Sequence, residues 1–311
     1  MLVVEGTRLL GGLALEADRW LGVERLRFLG AGPLSPDHLD LVAAAGREAD
    51  VVGALAGWLR RPGGRLLDLD GLAEGSRIRP ALPRHLRERA PEIAPYALLP
   101  RDPDAYLARL PSKARNTIRR TTRRLEAAGA RYRVAEPSEA DRALEDLHRL
   151  HDQRWAERSG FSANFPAFAD AARTGAVRGE VVFHELVVSG EVIACEVTFE
   201  VAGRSSFYQG GRAMDDRWRG AGTMLRAAVL VRACRTGLTE HDFLRGDEAY
   251  KRDWAAESRL LLHVQAASGI SGHTLLAALR ARSAARSAGA RLRGALERSS
   301  HAGFFSRGHG E

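Results

Sequence analysis

The sequence is almost without lysine: of its 47 lysine and arginine residues, only Lys113 and Lys251 are lysines. It has only two cysteines, Cys195 and Cys234, whose spacing fits neither a metal site nor a redox motif. No apolar run approaches the length that crosses a bilayer. The N-terminal residues lack the basic and apolar regions of a signal peptide. These absences argue against a metal-cluster, disulfide-rich or membrane-inserted protein and lead us to expect a cytoplasmic one.

The remaining composition is that of a soluble globular protein, with 45% hydrophobic and 28% charged residues in 311 positions. This length suits two domains. The net charge of +8 is concentrated in two segments. Residues 113–124 contain six basic residues and no acid, and residues 273–311 contain seven arginines against two acids. This distribution favours contact with a polyanion at particular places, with an anionic membrane or plain solvation as alternatives for the second segment.

Residues 1–100 are the less regular part of the sequence. Alternating apolar residues predict strands at 24–30 and 65–69, and one or two helices are expected within 36–59. Five prolines between 80 and 100 indicate a connector. We therefore expect a first α/β unit over 1–100, a second domain over 101–270, and a basic helix at 273–298 within a C-terminal segment, 271–311.

The segment 101–270 has a clear order of elements. Helices are predicted at 102–110, at 111–128 and from a capping box at 138–141, the last one ending in a loop at Gly160. Glycine-containing two-residue turns separate strands at 181–188, 191–200 and 204–209, which indicates hairpins. A helix at 221–236, a strand at 241–244, a helix at 247–256 and a strand at 260–265 follow. This order predicts an α/β (α+β) domain with a mixed, largely antiparallel sheet.

A glycine loop precedes the helix predicted at 221–236. Glycines at the start of a helix let the backbone approach a ligand closely, and the first N–H groups of the helix are unpaired. Such a site suits a pyrophosphate, to which nearby arginines add charge-assisted contacts. An ordinary helix cap beside surface arginines is the alternative. The candidate cofactor-binding residues are Arg217, Arg219, Gly220, Ala221, Gly222 and Thr223.

With this loop, the order of elements resembles the GNAT acyltransferases, and several motifs resemble the CelD-like (cellulose-biosynthesis acetyltransferase-like) branch. These motifs are Leu150-His151-x-x-Arg154-Trp155, Gly190-Glu191-x-Ile193-Ala194, Tyr208-x-Gly210 and Asp242-Phe243-Leu244-Arg245-Gly246-Asp247-Glu248-x-Tyr250-Lys251-x-x-Trp254. The resemblance covers 101–265 well and implies a GNAT-like fold. Because relatives such as the Fem-type transferases place two such units in tandem, residues 1–100 are expected to be a partial GNAT-like unit.

The resemblance also implies the reaction, in which an amine attacks the thioester of acetyl-CoA or another acyl-CoA directly, without a metal. Tyr250 matches the tyrosine that protonates the leaving thiolate, and the strand 191–200 would supply the oxyanion's N–H donor. Glu196, Asp247 and Glu248 are the candidate general bases. Asp247 has an alternative role as the cap of the helix that carries Tyr250, and Tyr250 itself has one as a packed aromatic.

Other motif residues are candidates for binding an amine acceptor, either a small molecule or a peptidyl amine. They are His151, Arg154, Trp155, Tyr208 and Lys251. His151 shares an apolar stripe with Trp155, so a structural role is the alternative for it. The sequence does not specify an oligomeric state.

Two further functions stay open at this stage. A Fem-like transferase would take its donor from aminoacyl-tRNA, and the basic helix 113–124 would then grip the RNA. A catalytically inactive GNAT scaffold would bind a polyanion or a partner. The discriminating observations are whether helix 113–124 faces the same cleft as Gly222, and whether the cleft is open.

Overall fold

The structure is a computed structural model that describes residues 1–32, 34, 36–61, 63–83, 86–155 and 160–284, without the side chain of Arg154. The strands, in chain order, are β1 (Leu2–Glu5), β2 (Arg8–Gly12), β3 (Leu15–Trp20), β4 (Val23–Phe28), β5 (Val42–Ala43), β6 (Arg65–Ala73), β7 (Leu86–Glu88), β8 (Glu92–Leu98), β9 (Arg131–Val134), β10 (Val181–Val188), β11 (Glu191–Val201), β12 (Arg204–Arg212), β13 (Glu240–Asp242) and β14 (Glu257–Ser268). The helices are α1 (Glu48–Leu59), α2 (Pro103–Arg109), α3 (Ser112–Ala127), α4 (Ala140–Trp155), α5 (Gly160–Val177), α6 (Ala221–Arg235) and α7 (269–284).

The chain folds into two compact units, each assembled from separate segments. Unit 1 consists of Met1–Leu29, His38–Ala90 and Leu262–Glu311, and unit 2 consists of Gly30–Asp37 and Pro91–Leu261. In unit 1, β1, β2 and β5 form a small sheet. The strands β3, β4 and β6 and the second part of β14 follow one another in a second sheet, in which β7 also pairs with β14. The expectation that residues 1–100 form a partial GNAT-like unit stays a prediction.

Unit 2 has a mixed sheet, whose order is the first part of β14, then β8, β13, β12, β11, β10 and β9. Among the described strand pairs of this sheet, β12–β13 is parallel, and β14–β8, β8–β13, β12–β11, β11–β10 and β10–β9 are antiparallel. Neighbouring side chains of β11 point to opposite faces of the sheet and therefore belong to two different hydrophobic cores. Cys195 and Val197 pack with α4 and α5, whereas the adjacent Ala194 packs with α3 and α6. This sheet between two helical layers is the predicted mixed, largely antiparallel architecture.

The predicted hairpins are confirmed. Ser189 and Gly190 join β10 to β11, and Ala202 and Gly203 join β11 to β12. All four residues have positive φ, between 50° and 86°. A two-residue turn with both φ values positive matches the twist of the flanking strands. The local sequence therefore determined this meander.

The proline-rich connector predicted for 80–100 is wrong, because this segment contains β7 and β8. Pro95 lies within β8, between β13 and β14. Its missing N–H does not prevent the pairing, because its carbonyl oxygen accepts a hydrogen bond of 2.9 Å from the N–H of Phe243. A proline disrupts a central strand where the neighbouring strand needs a backbone N–H donor at that position.

Five predictions about the helices and the segments beside them need correction. Of the residues 36–59, only 48–59 are helical. The predicted loop after Gly160 is instead α5, which contains Pro166, and the predicted helix 247–256 is only a 3₁₀ turn at Ala249–Asp253. The capping box before α4 is formed by Glu136 and Glu139. The basic C-terminal helix begins at 269, and its residues after 284 lie outside the described range. Within the described ranges, no helix has the length and apolarity needed to cross a membrane.

A buried histidine makes the stability of unit 2 depend on pH. His184 on β10 is fully buried between Tyr132 and Thr198, with a ring nitrogen 2.9 Å from each hydroxyl oxygen. Burial, reinforced by the charges of Arg232 and Arg226, lowers its pKa to about 3. The unfolded chain therefore binds a proton that the folded chain does not bind, and stability is lost as the pH falls from about 6.5 towards 3.

We expect His184→Gln to remove this contribution. Wild-type protein should lose up to about 1.4 kcal/mol of unfolding free energy per pH unit through this group. Urea unfolding at pH 7, 6 and 5 should show a shallower pH dependence in the variant. His273→Gln, at an exposed position on α7, is the control and should retain the wild-type slope. Equal slopes for all three proteins would contradict the prediction.

Candidate active site

Unit 2 contains a cavity of about 1350 Å³ where β12 and β13 part. The two strands pair only over Arg204–Ser206 and Glu240–Asp242. Beyond this point β12 continues for six residues along the wall of the cavity. The resemblance placed the oxyanion donor on the strand 191–200, but β11 is hydrogen-bonded to β10 and to β12. The strand that leaves its neighbour is β12, whose residues Phe207–Arg212 lie beyond its pairing with β13.

The glycine loop forms one end of the cavity. Gly220 is the N-cap of α6 with φ 86°, and a side chain there would come within 2.7 Å of Thr121. Gly220, Gly222 and Thr223 all line the cavity. The carbonyl oxygen of Gly220 accepts the N–H groups of Thr223 and Met224. Helix α6 therefore starts at the cavity wall, and helix N-termini are a common place for anions to bind.

The two loop arginines differ from the glycines in position. Arg217 and Arg219 are highly exposed and pair with Asp215 and Asp216, each at 2.8 Å. Only Arg219 lines the cavity. Ala221 is fully buried in the core against α3. The loop thus brings Gly220, Gly222, Thr223 and Arg219 to the cavity, and it leaves Arg217 on the surface.

Tyr250 and Glu248 also line the cavity, from the 3₁₀ turn Ala249–Asp253 and the residue before it. Tyr250 is 45% exposed. Asp247 instead forms an ion pair of 2.6 Å with Arg252 on the surface and is not part of the cavity lining. The three neighbouring candidates of the motif therefore have different environments.

Lys251 is buried, and its ammonium group holds the preceding loop together. The Nζ atom donates to the carbonyl oxygens of Leu244, Arg245 and Gly246 at 3.2, 2.7 and 3.4 Å. It also forms an ion pair of 2.8 Å with Glu248. Leu244 has a φ of 55°, which is unfavourable for a side chain of this size. The position predicted to bind substrate therefore fixes a strained loop beside the cavity.

Glu196 points to the α6 side of β11, where it meets Arg226. The Arg226 Nε atom lies 3.0 and 2.9 Å from the two carboxylate oxygens, and both side chains are almost fully buried. Burial raises the pKa of Glu196, and the neighbouring guanidinium offsets part of this effect. The same guanidinium lies 3.8 Å from the ring centre of Phe207 and 5.2 Å from that of Phe243. Glu196 and Arg226 both line the cavity.

An aromatic wall completes the cavity near α4 and β12. Trp155 is 41% exposed there. His151 is buried against Phe161, with 4.8 Å between the ring centres, and burial lowers its pKa. The hydroxyl of Tyr208 donates to the carbonyl oxygen of Leu34 at 3.0 Å, and burial raises its pKa to about 12. The predicted residues His151, Trp155 and Tyr208 are thus brought together, while the side chain of Arg154 lies outside the described part.

The sequence reasoning missed two contributors. Arg226 is the charged partner of Glu196, and its position among the apolar residues of α6 was the available signal. Asp37 lines the cavity from the segment Gly30–Asp37 and accepts hydrogen bonds from the backbone N–H and the Nε of Arg245 at 2.8 and 2.5 Å. Nothing in the sequence connects residue 37 with residue 245. In the described part of the chain, no three His, Cys, Asp or Glu side chains are grouped as metal ligands.

Residues 112–252 match the family described as "Acetyltransferase (GNAT) domain". This segment begins with α3 and ends in the turn that carries Tyr250, so the match includes most of the cavity wall. It indicates an acyltransferase, and the fold of unit 2 is GNAT-like. The finer resemblance to the CelD-like branch stays a prediction. No curated protein matches the sequence.

Solved structures similar to the chain agree on the fold. FemX has a TM-score of 0.57 at 10% identity, with 84% of this chain and 86% of that chain covered. A conserved protein of unknown function from Bacteroides thetaiotaomicron has 0.56 at 12%, with 82% of each chain covered. L-PGS from Bacillus licheniformis has 0.53 at 11%, with 86% of each chain covered. At these identities the similarity concerns the fold alone.

We expect Lys251→Met to destabilise the protein by about 2–3 kcal/mol, because carbonyl groups of a strained loop and a carboxylate lose a charged partner. Urea unfolding measures this difference. Lys113→Met is the matched control: Lys113 is the other lysine and is exposed, so the change should be within about 0.5 kcal/mol. Equal unfolding midpoints for the two variants would show that the contacts of Lys251 contribute nothing.

Proposed function

We propose that this chain is an acyl-CoA-dependent N-acyltransferase that transfers an acyl group, most simply acetyl, to an amine. The observation that carries the proposal is that one cavity contains both the glycine-loop start of α6 and the hydroxyl-bearing Tyr250. The first feature suits the pyrophosphate of a CoA thioester, and the second suits the protonation of its leaving group. A cytoplasmic location and a metal-free reaction are part of the proposal.

The donor end of the cavity fits a phosphate group. Gly222 has no side chain to block the approach, and an added Cβ would meet only Arg212, at 3.8 Å. The left-handed Gly220 begins α6 at the cavity wall. Helix N-termini stabilise negative charge, and Arg219 adds a positive charge at the mouth. In this arrangement the pyrophosphate would lie against Gly220 and Gly222, beside Thr223 in the first turn of α6.

The reaction needs one bond formed and one broken. The amine nitrogen attacks the thioester carbon, a C–N bond forms, and the C–S bond breaks. Backbone N–H groups of β12 beyond Ser206 would stabilise the oxyanion. The proton lost by the amine passes to a carboxylate or water, for which Glu196 and Glu248 are the candidates on the wall. Tyr250 gives its proton to the CoA thiolate and regains one from solvent.

The acceptor amine would occupy the aromatic end of the cavity. Trp155, Phe161 and Tyr208 provide apolar surface there, and the lowered pKa of His151 keeps its imidazole neutral near pH 7. Such a wall offers apolar surface to the carbon skeleton of an amine acceptor. Both small-molecule and peptidyl amines fit this description.

A second candidate is a Fem-like transferase whose donor is aminoacyl-tRNA. It is supported by the fold similarity to FemX and by the arginines of α3. Those arginines line a separate groove, whereas Lys113, Ala114, Thr117 and Ile118 of the same helix line the cavity. A catalytically inactive scaffold is less well supported, because the cavity is open from Gly222 to Tyr250.

Thermal unfolding with acetyl-CoA tests the donor. At about 100 times its Kd, acetyl-CoA should stabilise wild-type protein by about 2.7 kcal/mol, seen as a higher Tm. Gly222→Trp should abolish the shift, because the indole would occupy the part of the cavity next to the start of α6. Gly53→Trp is the control, since Gly53 lies exposed on α1 with no heavy atom within 4 Å of an added Cβ; it should retain the shift.

The outcomes separate the candidates. A shift in wild type and Gly53→Trp but not in Gly222→Trp supports the acyl-CoA enzyme. The absence of a shift with acetyl-CoA and with free CoA would remove that support, and aminoacyl-tRNA would become the donor to test.

Tyr250→Phe tests the proposed acid. Loss of a positioned general acid should lower kcat about 100-fold or more while KM for acetyl-CoA stays nearly constant. The measurement is the release of free thiol with an amine acceptor found by screening. Tyr96→Phe, on β8 and away from the cavity lining, should leave kcat unchanged. A variant at position 250 with wild-type kcat would exclude the hydroxyl from the chemistry.

A further inference from the structure

The side of α3 that faces away from the cavity is a continuous surface of arginine. Arg119, Arg120, Arg123 and Arg124 are all exposed and occupy two successive turns. Together with Asn116 and Ala127 they line a shallow groove of about 410 Å³. We call these four arginines the arginine face. It contains no acid and no large apolar side chain.

The positive charge of the arginine face is not neutralised. Throughout the described ranges of the chain, none of its four arginines forms an ion pair with an acid. Arginines elsewhere in unit 2 do so: Arg142 pairs with Glu185 at 2.9 Å, and Arg252 pairs with Asp247 at 2.6 Å. Like charges three or four positions apart destabilise a helix. The general abundance of arginine in the protein therefore does not explain this cluster. Its arginines differ from Arg142 and Arg252 because they form no ion pair with an acid in the described part of the chain.

The helix that carries the arginine face is anchored in unit 2. The opposite side of α3 is buried through Ile118, Thr121 and Leu125. The guanidinium of Arg124 donates to the carbonyl oxygens of Arg217 and Arg219, which attaches the helix to the glycine loop. The backbone of the arginine face is therefore fixed in the fold, and the side chain of Arg124 is held by these two hydrogen bonds.

We propose that the arginine face binds the sugar–phosphate backbone of a nucleic acid. Guanidinium groups bind phosphate oxygens through two parallel hydrogen bonds, and a row of them suits a row of phosphates. An anionic membrane is the poorer partner, because amphipathic helices that lie on membranes insert large apolar side chains, and Ala127 is the only apolar residue in this groove. Since the cavity is lined by other residues of α3, the inference does not rest on the proposed function.

Salt dependence of RNA binding tests the inference. A fluorescein-labelled 20-nucleotide single-stranded RNA is titrated with full-length protein at 50 and 200 mM salt, and binding is followed by fluorescence anisotropy. Four phosphate contacts predict a slope of about −2.8 in log Kobs against log[salt], or about 50-fold weaker binding at the higher salt. Unlabelled DNA of the same sequence should compete, because the contacts are with the backbone.

The double variant Arg120→Gln/Arg123→Gln should halve this slope. Two remaining contacts predict about −1.4, or about 7-fold weaker binding over the same salt range. The matched control is Arg173→Gln/Arg252→Gln, which removes the same charge from arginines that are paired with acids. The control should keep the wild-type slope. Circular dichroism of both variants checks that α3 remains folded.

Three results of the binding measurements would overturn the inference. They are an unchanged slope in the arginine-face variant, an equal reduction in the control, and binding to phosphatidylglycerol vesicles without binding to RNA. The acetyl-CoA thermal shift is measured on the same proteins. A variant that loses this shift while keeping wild-type RNA binding would assign the face to CoA and also overturn the inference. If no protein shows the shift but the slopes behave as expected, the proposed donor fails and the nucleic-acid surface stands.

Discussion

The buried ion pair between Glu196 and Arg226 is the interaction on which the architecture of unit 2 most depends. It joins the centre of β11 to α6, and its guanidinium packs on Phe207 of β12 and on Phe243 beyond β13. It therefore connects the elements on both sides of the opening in the sheet. Losing one partner of such a pair leaves an uncompensated buried charge, which typically costs about 3–5 kcal/mol. The pair therefore joins α6 to β11 and to the aromatic side chains beside the cavity.

A second set of polar contacts explains why the stretch from Asp242 to Lys251 has its unusual composition. The carboxylate of Asp242 accepts the N–H of Leu244 at 2.7 Å, Asp37 holds Arg245, and Lys251 binds three successive carbonyl oxygens. Each of these side chains forms hydrogen bonds with backbone N–H or carbonyl groups that lie outside the strands and helices. An ammonium group suits this task because it has three donors on a flexible stem. The residues that identify the motif in the sequence therefore mostly build the loop, and Tyr250 is the member that reaches the cavity with an exposed hydroxyl-bearing ring.

Helix α3 shows how one element can serve two surfaces. Its 16 residues place Lys113 and Thr117 at the cavity and the four arginines on the outer groove. The 3.6-residue period separates these sets, and the stripe of Ile118 and Leu125 anchors the helix between them. The sequence left open whether α3 faces the cavity or an outer groove, and the structure shows that it contributes residues to both. Because different residues are involved, substitutions can affect one surface without the other.

The sequence by itself determined the features that depend on neighbouring residues. The hairpin turns follow from residue pairs that tolerate positive φ, the helices α2, α3 and α6 follow from their apolar period and caps, and the glycine loop follows from its position before α6. Tertiary structure decided what depends on distant partners. It decided that Pro95 lies in a central strand, that β12 leaves β13, that Lys251 is used by carbonyl groups, and that Gly30–Asp37 joins unit 2. The physical reason is that strand pairing and burial are set by residues far apart in the chain, whose contacts leave no local pattern.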